Sequence, residues 1–141
     1  MIIGIPREHV DDEKRVGLSP AAVHTLVQLG HEIQVEQGAG AGSGFSDDAY
    51  RSAGAVIAHC TEEVYGRSDL LVKVQYPTPG EHGWLRQDQI LMAYLHLPTR
   101  EAGLRQILLE RSCSAVDYAA VALADGTAPV LASMSRIAGR M

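Results

Sequence analysis

Asp69-Leu70-Leu71-Val72-Lys73-Val74-Gln75 is the stretch that decides the fold. Both alternating faces of this run are largely apolar. A strand at a wet surface hides one face, whereas a strand in the middle of a parallel sheet hides both. Ile90-Leu91-Met92-Ala93-Tyr94-Leu95-His96-Leu97 repeats the pattern. Around these two runs, short β-branched stretches alternate with segments of helical spacing. Met1–Ile5 reads as a strand stopped by Pro6. Ser19-Pro20 starts a helix, serine as cap and proline in the first helical position, and Val23, Leu26 and Val27 follow at helical spacing up to Gly30. Residues 31–36 and 55–58 read as strands. Residues 46–53, a segment from Thr61, and residues 99–112 read as helices, the last with Leu104, Ile107 and Leu108 as its inner stripe. Residues 113–118 are a further strand, and Ser133 or Ser135 begins a final helix. Strands alternating with helices predict a three-layer α/β/α domain with a mostly parallel sheet.

A chain of 141 residues is one domain's worth, and 46% apolar with 21% charged residues excludes wholesale disorder. The formal charge of −5, and only one Trp, five Tyr and one Phe, argue against a nucleic-acid partner. No apolar run approaches the ~18 residues that span a bilayer. Cys60 and Cys113 are far apart and form no metal or redox motif, and Met1-Ile2-Ile3-Gly4 opens no secretory leader. A reduced, cytoplasmic chain without a metal site is the expectation.

Three residues carry candidate chemistry. Lys73 lies inside a run that should be buried, and a buried ammonium is costly unless an anion pairs with it. Near the carboxyl end of a parallel strand it would face the crevice where such sheets bind ligands, or else snorkel to water. His96 ends the next strong strand at the same edge, and is either a core histidine with a backbone partner or a proton carrier near neutral pH. Arg15 closes the charged run Arg7–Arg15, most of which reads as solvated loop, and its fork could hold a carboxylate at two points. Together these residues suit a small carboxylate or keto acid. His9, His24, His31, His59 and His82 read as surface residues. Gly38-Ala39-Gly40-Ala41-Gly42-Ser43-Gly44 is glycine-rich, but Ser43 stands where a dinucleotide fingerprint needs its third glycine. The following strand also ends in Ile57-Ala58-His59, without the required acid. It reads as a flexible turn, and the chain alone is expected not to bind NAD.

Ile3-Gly4-Ile5-Pro6-Arg7-Glu8, followed by Glu13-x-Arg15-Val16-x-Leu18-Ser19-Pro20, resembles the amino-terminal signature of alanine dehydrogenases and nicotinamide nucleotide transhydrogenases. So do Val35 to Ser43, Asp69 to Val74, Leu95-His96-Leu97 and Met134-Ser135-x-Ile137-Ala138-Gly139-Arg140. The resemblance runs through essentially the whole chain, in order. It departs at Gln75-Tyr76, where dehydrogenases usually read Lys-Glu, at Ala119, and at Ser133 and Arg136, where Pro and Glu are usual. Leu95-His96-Leu97 favours the dehydrogenase branch.

The resemblance implies a flavodoxin-like domain, Rossmann-like without the dinucleotide fingerprint. It implies Arg15 and Lys73 as pyruvate-binding residues and His96 as the acid/base. It also implies residues 1–132 as the substrate domain and residues 133–141 as the start of a helix leading to an NAD-binding domain outside this chain. The implied partner is a small molecule, L-alanine or pyruvate, in a homo-oligomer. A transhydrogenase first domain and a non-catalytic keto-acid-binding module are the other readings.

Overall fold

The computed structural model describes residues 1–97 and 102–139. Six strands form one sheet: β1 (Ile2–Ile5), β2 (Glu32–Glu36), β3 (Val56–Ala58), β4 (Leu70–Gln75), β5 (Ile90–Tyr94) and β6 (Ser114–Asp117). All neighbouring pairs are parallel, in the order β3-β2-β1-β4-β5-β6. The α/β architecture is the expected one. Within it, the strand order is that of doubly wound dinucleotide-binding folds and not the 2-1-3-4-5 of flavodoxin. The chain builds outward from β1 to β3, then returns across the sheet to lay β4 on the free edge of β1. Helix α3 (Thr61–Arg67) makes that return, and it can sit close because Gly4 of β1 has no side chain. A Cβ there would lie 2.7 Å from Val64 Cγ1 and would also strike Ser68.

Two apolar cores lie on opposite faces of the sheet. On one, Ile3, Ile5, Ile33 and Val35 pack against Val23 of α1 (Pro20–Gln28) and Tyr50 of α2 (Asp47–Ser52). On the other, Leu71, Leu91 and Ala93 pack against Val64 and Tyr65 of α3 and Leu104 and Leu108 of α4 (Ala102–Glu110). Helix starts follow the sequence signals: Ser19 Oγ accepts from Ala22 N at 3.3 Å, and Ser46 Oγ accepts from Ala49 N at 3.2 Å. The expected start of α4 at Thr99 lies outside the described residues.

Two expectations are corrected. The final helix, α5, runs Pro129–Ala138, so it starts ahead of Ser133. Pro129 suits a first turn, where its missing N–H costs nothing. The glycine-rich stretch is not a loose turn but a 3₁₀ turn at Ala41–Ser43 packed on the Arg15 loop. A Cβ on Gly42 would lie 2.6 Å from the Lys14 carbonyl oxygen, and Ser43 Oγ donates to that same oxygen at 3.0 Å. The glycine there serves close approach, and the turn braces the backbone beside Arg15.

Candidate functional site

In an open doubly wound sheet, ligands bind at the carboxyl ends of the strands where the strand order reverses. Here that point lies between β1 and β4. The loop leaving β1 carries Glu8, His9, Glu13 and Arg15; β4 carries Lys73 and Gln75; His96 follows β5. A cavity of about 780 Å³ opens beside them, on the α1 side of the sheet. Its floor is apolar, from Ile3, Val72, Met92 and Tyr94, and α5 adds Val130 and Met134. Arg15 and Lys73 both belong to its lining.

The two cations are held differently. Lys73 is fully buried. Its Nζ donates to Glu81 Oε1 at 2.8 Å and to the Arg7 carbonyl at 3.3 Å, and lies 3.5 Å from Glu8 Oε2. Glu81 sits on a 3₁₀ segment, Pro79–Trp84, just after β4. It also accepts from Tyr65 Oη at 2.9 Å and from Thr78 N and Oγ1 at 2.7 and 2.9 Å. Glu8 accepts from Val74 N and Gln75 N at 2.7 and 3.2 Å, so the β1 loop caps the end of β4. Burial pushes the Glu8 carboxyl up, with Lys73 opposing. Burial works against ionising Glu81 too, but Lys73 and the Thr78 donors outweigh it and bring that carboxyl below its ordinary range. The Lys73 ammonium therefore spends its protons inside the protein. Direct contact with a ligand would need it to leave these partners.

Arg15 is 44% exposed at its side chain, while its partner Glu13 is 8% exposed. Arg15 Nε donates to Glu13 Oε1 at 2.7 Å and Nη2 to Oε2 at 2.5 Å. Arg15 N also donates to Oε1 at 2.9 Å, and Gln75 Nε2 to Oε2 at 2.9 Å. The Arg15 bond, more than any other contact, lowers the Glu13 carboxyl to about 2. Arg15 Nη1 points at Met134 Sδ of α5, 3.7 Å away.

His96 does not line the cavity itself. Its ring stacks on Tyr94, centroids 6.1 Å apart and planes 16° apart, and Tyr94 is part of the cavity wall. Tyr118 packs edge-on against Tyr94, with ring centroids 5.1 Å apart. His96 has φ of 48°, a backbone conformation that costs a non-glycine residue on the order of 1–3 kcal/mol. Asp117 Oδ2 holds it there, accepting from His96 N at 2.9 Å, while Oδ1 accepts from Ala119 N at 3.0 Å.

Sequence reasoning missed Glu8, Glu13, Glu81 and Asp117. The run Arg7–Arg15 is less solvated than expected, since the Glu8 and Glu13 side chains are nearly buried. His9 is a partial exception to the surface reading: its Nδ1 lies 3.4 Å from Glu81 Oε1. The one available signal was Lys73 itself, because a buried ammonium demands anions, and the run after β1 is acidic. Among the described residues, no group of three or more His, Cys, Asp or Glu is placed to hold a metal ion, and no helix is long and apolar enough to cross a membrane. At the glycine-rich turn, the space a side chain on Gly42 would need is taken by the Lys14 backbone, while Gly38 and Gly44 face open space.

The fold and this crevice define a doubly wound α/β domain with a small, partly cationic site at its strand-order reversal. The family described as "Alanine dehydrogenase/PNT, N-terminal domain" matches residues 4–138, and the chain belongs to it. It is 40% identical over its full length to an alanine dehydrogenase of Methanococcus maripaludis, covering 38% of that protein. It is 43% identical to alanine dehydrogenase 2 of Staphylococcus aureus, covering all of this chain and 37% of that protein. A solved L-alanine dehydrogenase superposes with a TM-score of 0.93 at 41% identity, over 99% of this chain and 38% of that one. A transhydrogenase from Sinorhizobium meliloti fits less well, with a TM-score of 0.77 at 27% identity over 84% of this chain and 35% of that one. The chain thus spans somewhat over a third of the length of these relatives.

Proposed function

We propose that this chain is the substrate-binding domain of an NAD-dependent L-alanine dehydrogenase. The overall reaction takes L-alanine, water and NAD⁺ to pyruvate, ammonium, NADH and a proton. NAD would be held mainly by a domain outside this chain, to which α5 leads, because the glycine-rich turn here lacks the third glycine and the acid of a dinucleotide fingerprint. The chain alone is then inactive, and the working protein is a cytoplasmic homo-oligomer.

The observation that carries this reading is Arg15: a half-exposed guanidinium on the wall of a cavity at the strand-order reversal, with His96 stacked on the Tyr94 of that same wall. Arg15 neutralises and orients the substrate carboxylate. His96 moves a proton as water adds to the imine carbon and as the resulting carbinolamine expels ammonia. Lys73 acts here through Glu8, whose grip on the Val74 and Gln75 amides fixes the end of β4. Closer likeness to dehydrogenases than to the transhydrogenase supports this branch over the other.

Pyruvate titrated into the ¹⁵N-labelled chain tests the reading. Amide shifts should cluster at Arg15, Gln75 and Tyr94. Arg15→Lys keeps the charge but loses the fork, and should bind pyruvate about tenfold more weakly. Equal binding by the two proteins, or shifts centred on the glycine-rich turn, would sink the assignment.

A further inference from the structure

Glu13 is the most heavily used acceptor on the cavity side of the crevice. Its two oxygens take four donors: Arg15 N, Nε and Nη2, and Gln75 Nε2. Guanidinium presents two forks, one made by Nε and Nη2 and another by Nη1 and Nη2. Glu13 occupies the first. Met134 Sδ lies near Nη1, but sulfur is a weak acceptor. The second fork is what remains for a carboxylate arriving from the cavity.

We propose that Glu13 is a positioning residue for Arg15, and that Gln75 is the second tether that holds Glu13 in place. The inference rests on Arg15 being the carboxylate-binding group of the proposed function. An arginine side chain has about 2 kcal/mol of rotamer freedom, and losing it on ligand binding weakens the complex. Glu13 removes that freedom before the ligand arrives. It can do so because its own side chain is nearly buried and is anchored from two elements, the β1 loop and the end of β4. Gln75 suits the second role as a neutral donor: it holds a Glu13 oxygen without competing with Arg15 for an incoming anion.

The opposite behaviour is also chemically possible. Glu13 is itself a carboxylate on Arg15, and if it served as a plug its removal would strengthen anion binding. Glu13→Gln separates the two, since a neutral amide offers one acceptor oxygen where the carboxylate offers two, and no charge to hold the guanidinium.

The test uses the whole chain with pyruvate as the probe, followed by calorimetry and by the Arg15 Nε–H resonance. In the unaltered protein that resonance should exchange slowly with water. In Glu13→Gln it should exchange at least tenfold faster, and pyruvate should bind five- to tenfold more weakly, measured at a temperature where the variant remains folded. Gln75→Leu, which removes one tether and leaves the Arg15–Glu13 pair, should weaken binding two- to threefold. Tighter or unchanged pyruvate binding by Glu13→Gln overturns the proposal, as does fast Arg15 exchange in the unaltered protein. If Glu13→Gln does not fold, Gln75→Leu decides alone, and unchanged affinity there overturns it. Failure of the underlying reading looks different: Arg15→Lys would bind pyruvate normally, while in the unaltered protein the Arg15 resonance stayed protected by Glu13.

Discussion

Lys73 and Arg15 are both cations at the carboxyl edge of one sheet, and the fold treats them in opposite ways. Lys73 points to the α3 side, is fully buried, and faces Glu8 and Glu81. Arg15 stands at the cavity mouth on the α1 side with a single carboxylate and nearly half its side chain in solvent. The difference teaches what each charge is for. A buried ammonium that donates to one carboxylate and a carbonyl, with a second carboxylate 3.5 Å away, ties together the strand end. A guanidinium with one fork filled and one fork open keeps a binding surface.

Breaking the buried side should have the largest effect. Glu81→Ala strands the Lys73 ammonium with only the more distant Glu8, and leaves Tyr65 Oη and Thr78 N without their acceptor. Removing one partner of a buried pair costs about 3–5 kcal/mol, and urea unfolding should show a loss of that size. A loss below about 1 kcal/mol would mean that Lys73 reaches water or the cavity after all, and the contrast with Arg15 would collapse.

The next effect concerns the brace behind Arg15. Gly42→Ala forces a methyl against the Lys14 carbonyl, and backbone there cannot swing aside. A destabilisation of about 1–3 kcal/mol is expected from this overpacking, together with weaker pyruvate binding as the Arg15 loop shifts. Full stability with unchanged binding would show that the glycine-rich turn has no part in setting the site.

The smallest effect sharpens the exposed side. Glu13 titrates at about 2 in the fold against an ordinary 4.5, so the unfolded chain binds its proton first. Its share of stability is complete above the ordinary value and is lost as pH falls towards the folded one. Unfolding measured between pH 5 and 2 should therefore fall off less steeply in Glu13→Gln than in the unaltered chain. Identical slopes would mean that the Arg15–Glu13 pair is loose in solution.

Much of the fold was legible because its signals are local. The doubly apolar runs at β4 and β5 announced central parallel strands, and Ser19-Pro20 announced α1. Final-helix placement failed by a few residues because Pro129 could be read as loop as easily as a first turn. The candidate site was legible only in part. Arg15, Lys73 and His96 stood out because each sits just at or after a strand end, and the parallel order brings those ends to one edge. Their partners did not stand out. Glu81 follows Lys73 by eight residues through a 3₁₀ segment that no periodicity marks, and Glu8 reaches amides 66 and 67 residues away.

The sequence by itself determined the alternation of strands and helices, the burial of β4 and β5, and the charged residues at the strand ends. Those follow from side-chain period and local propensity, which a linear pattern carries. Tertiary structure alone decided which side of β1 received β4, and hence that the order is 3-2-1-4-5-6. It also decided that Lys73 turns inward to two carboxylates while Arg15 keeps an open fork. Desolvation makes those choices: a charge is placed by which distant groups can replace its water, and that depends on contacts the linear order does not contain.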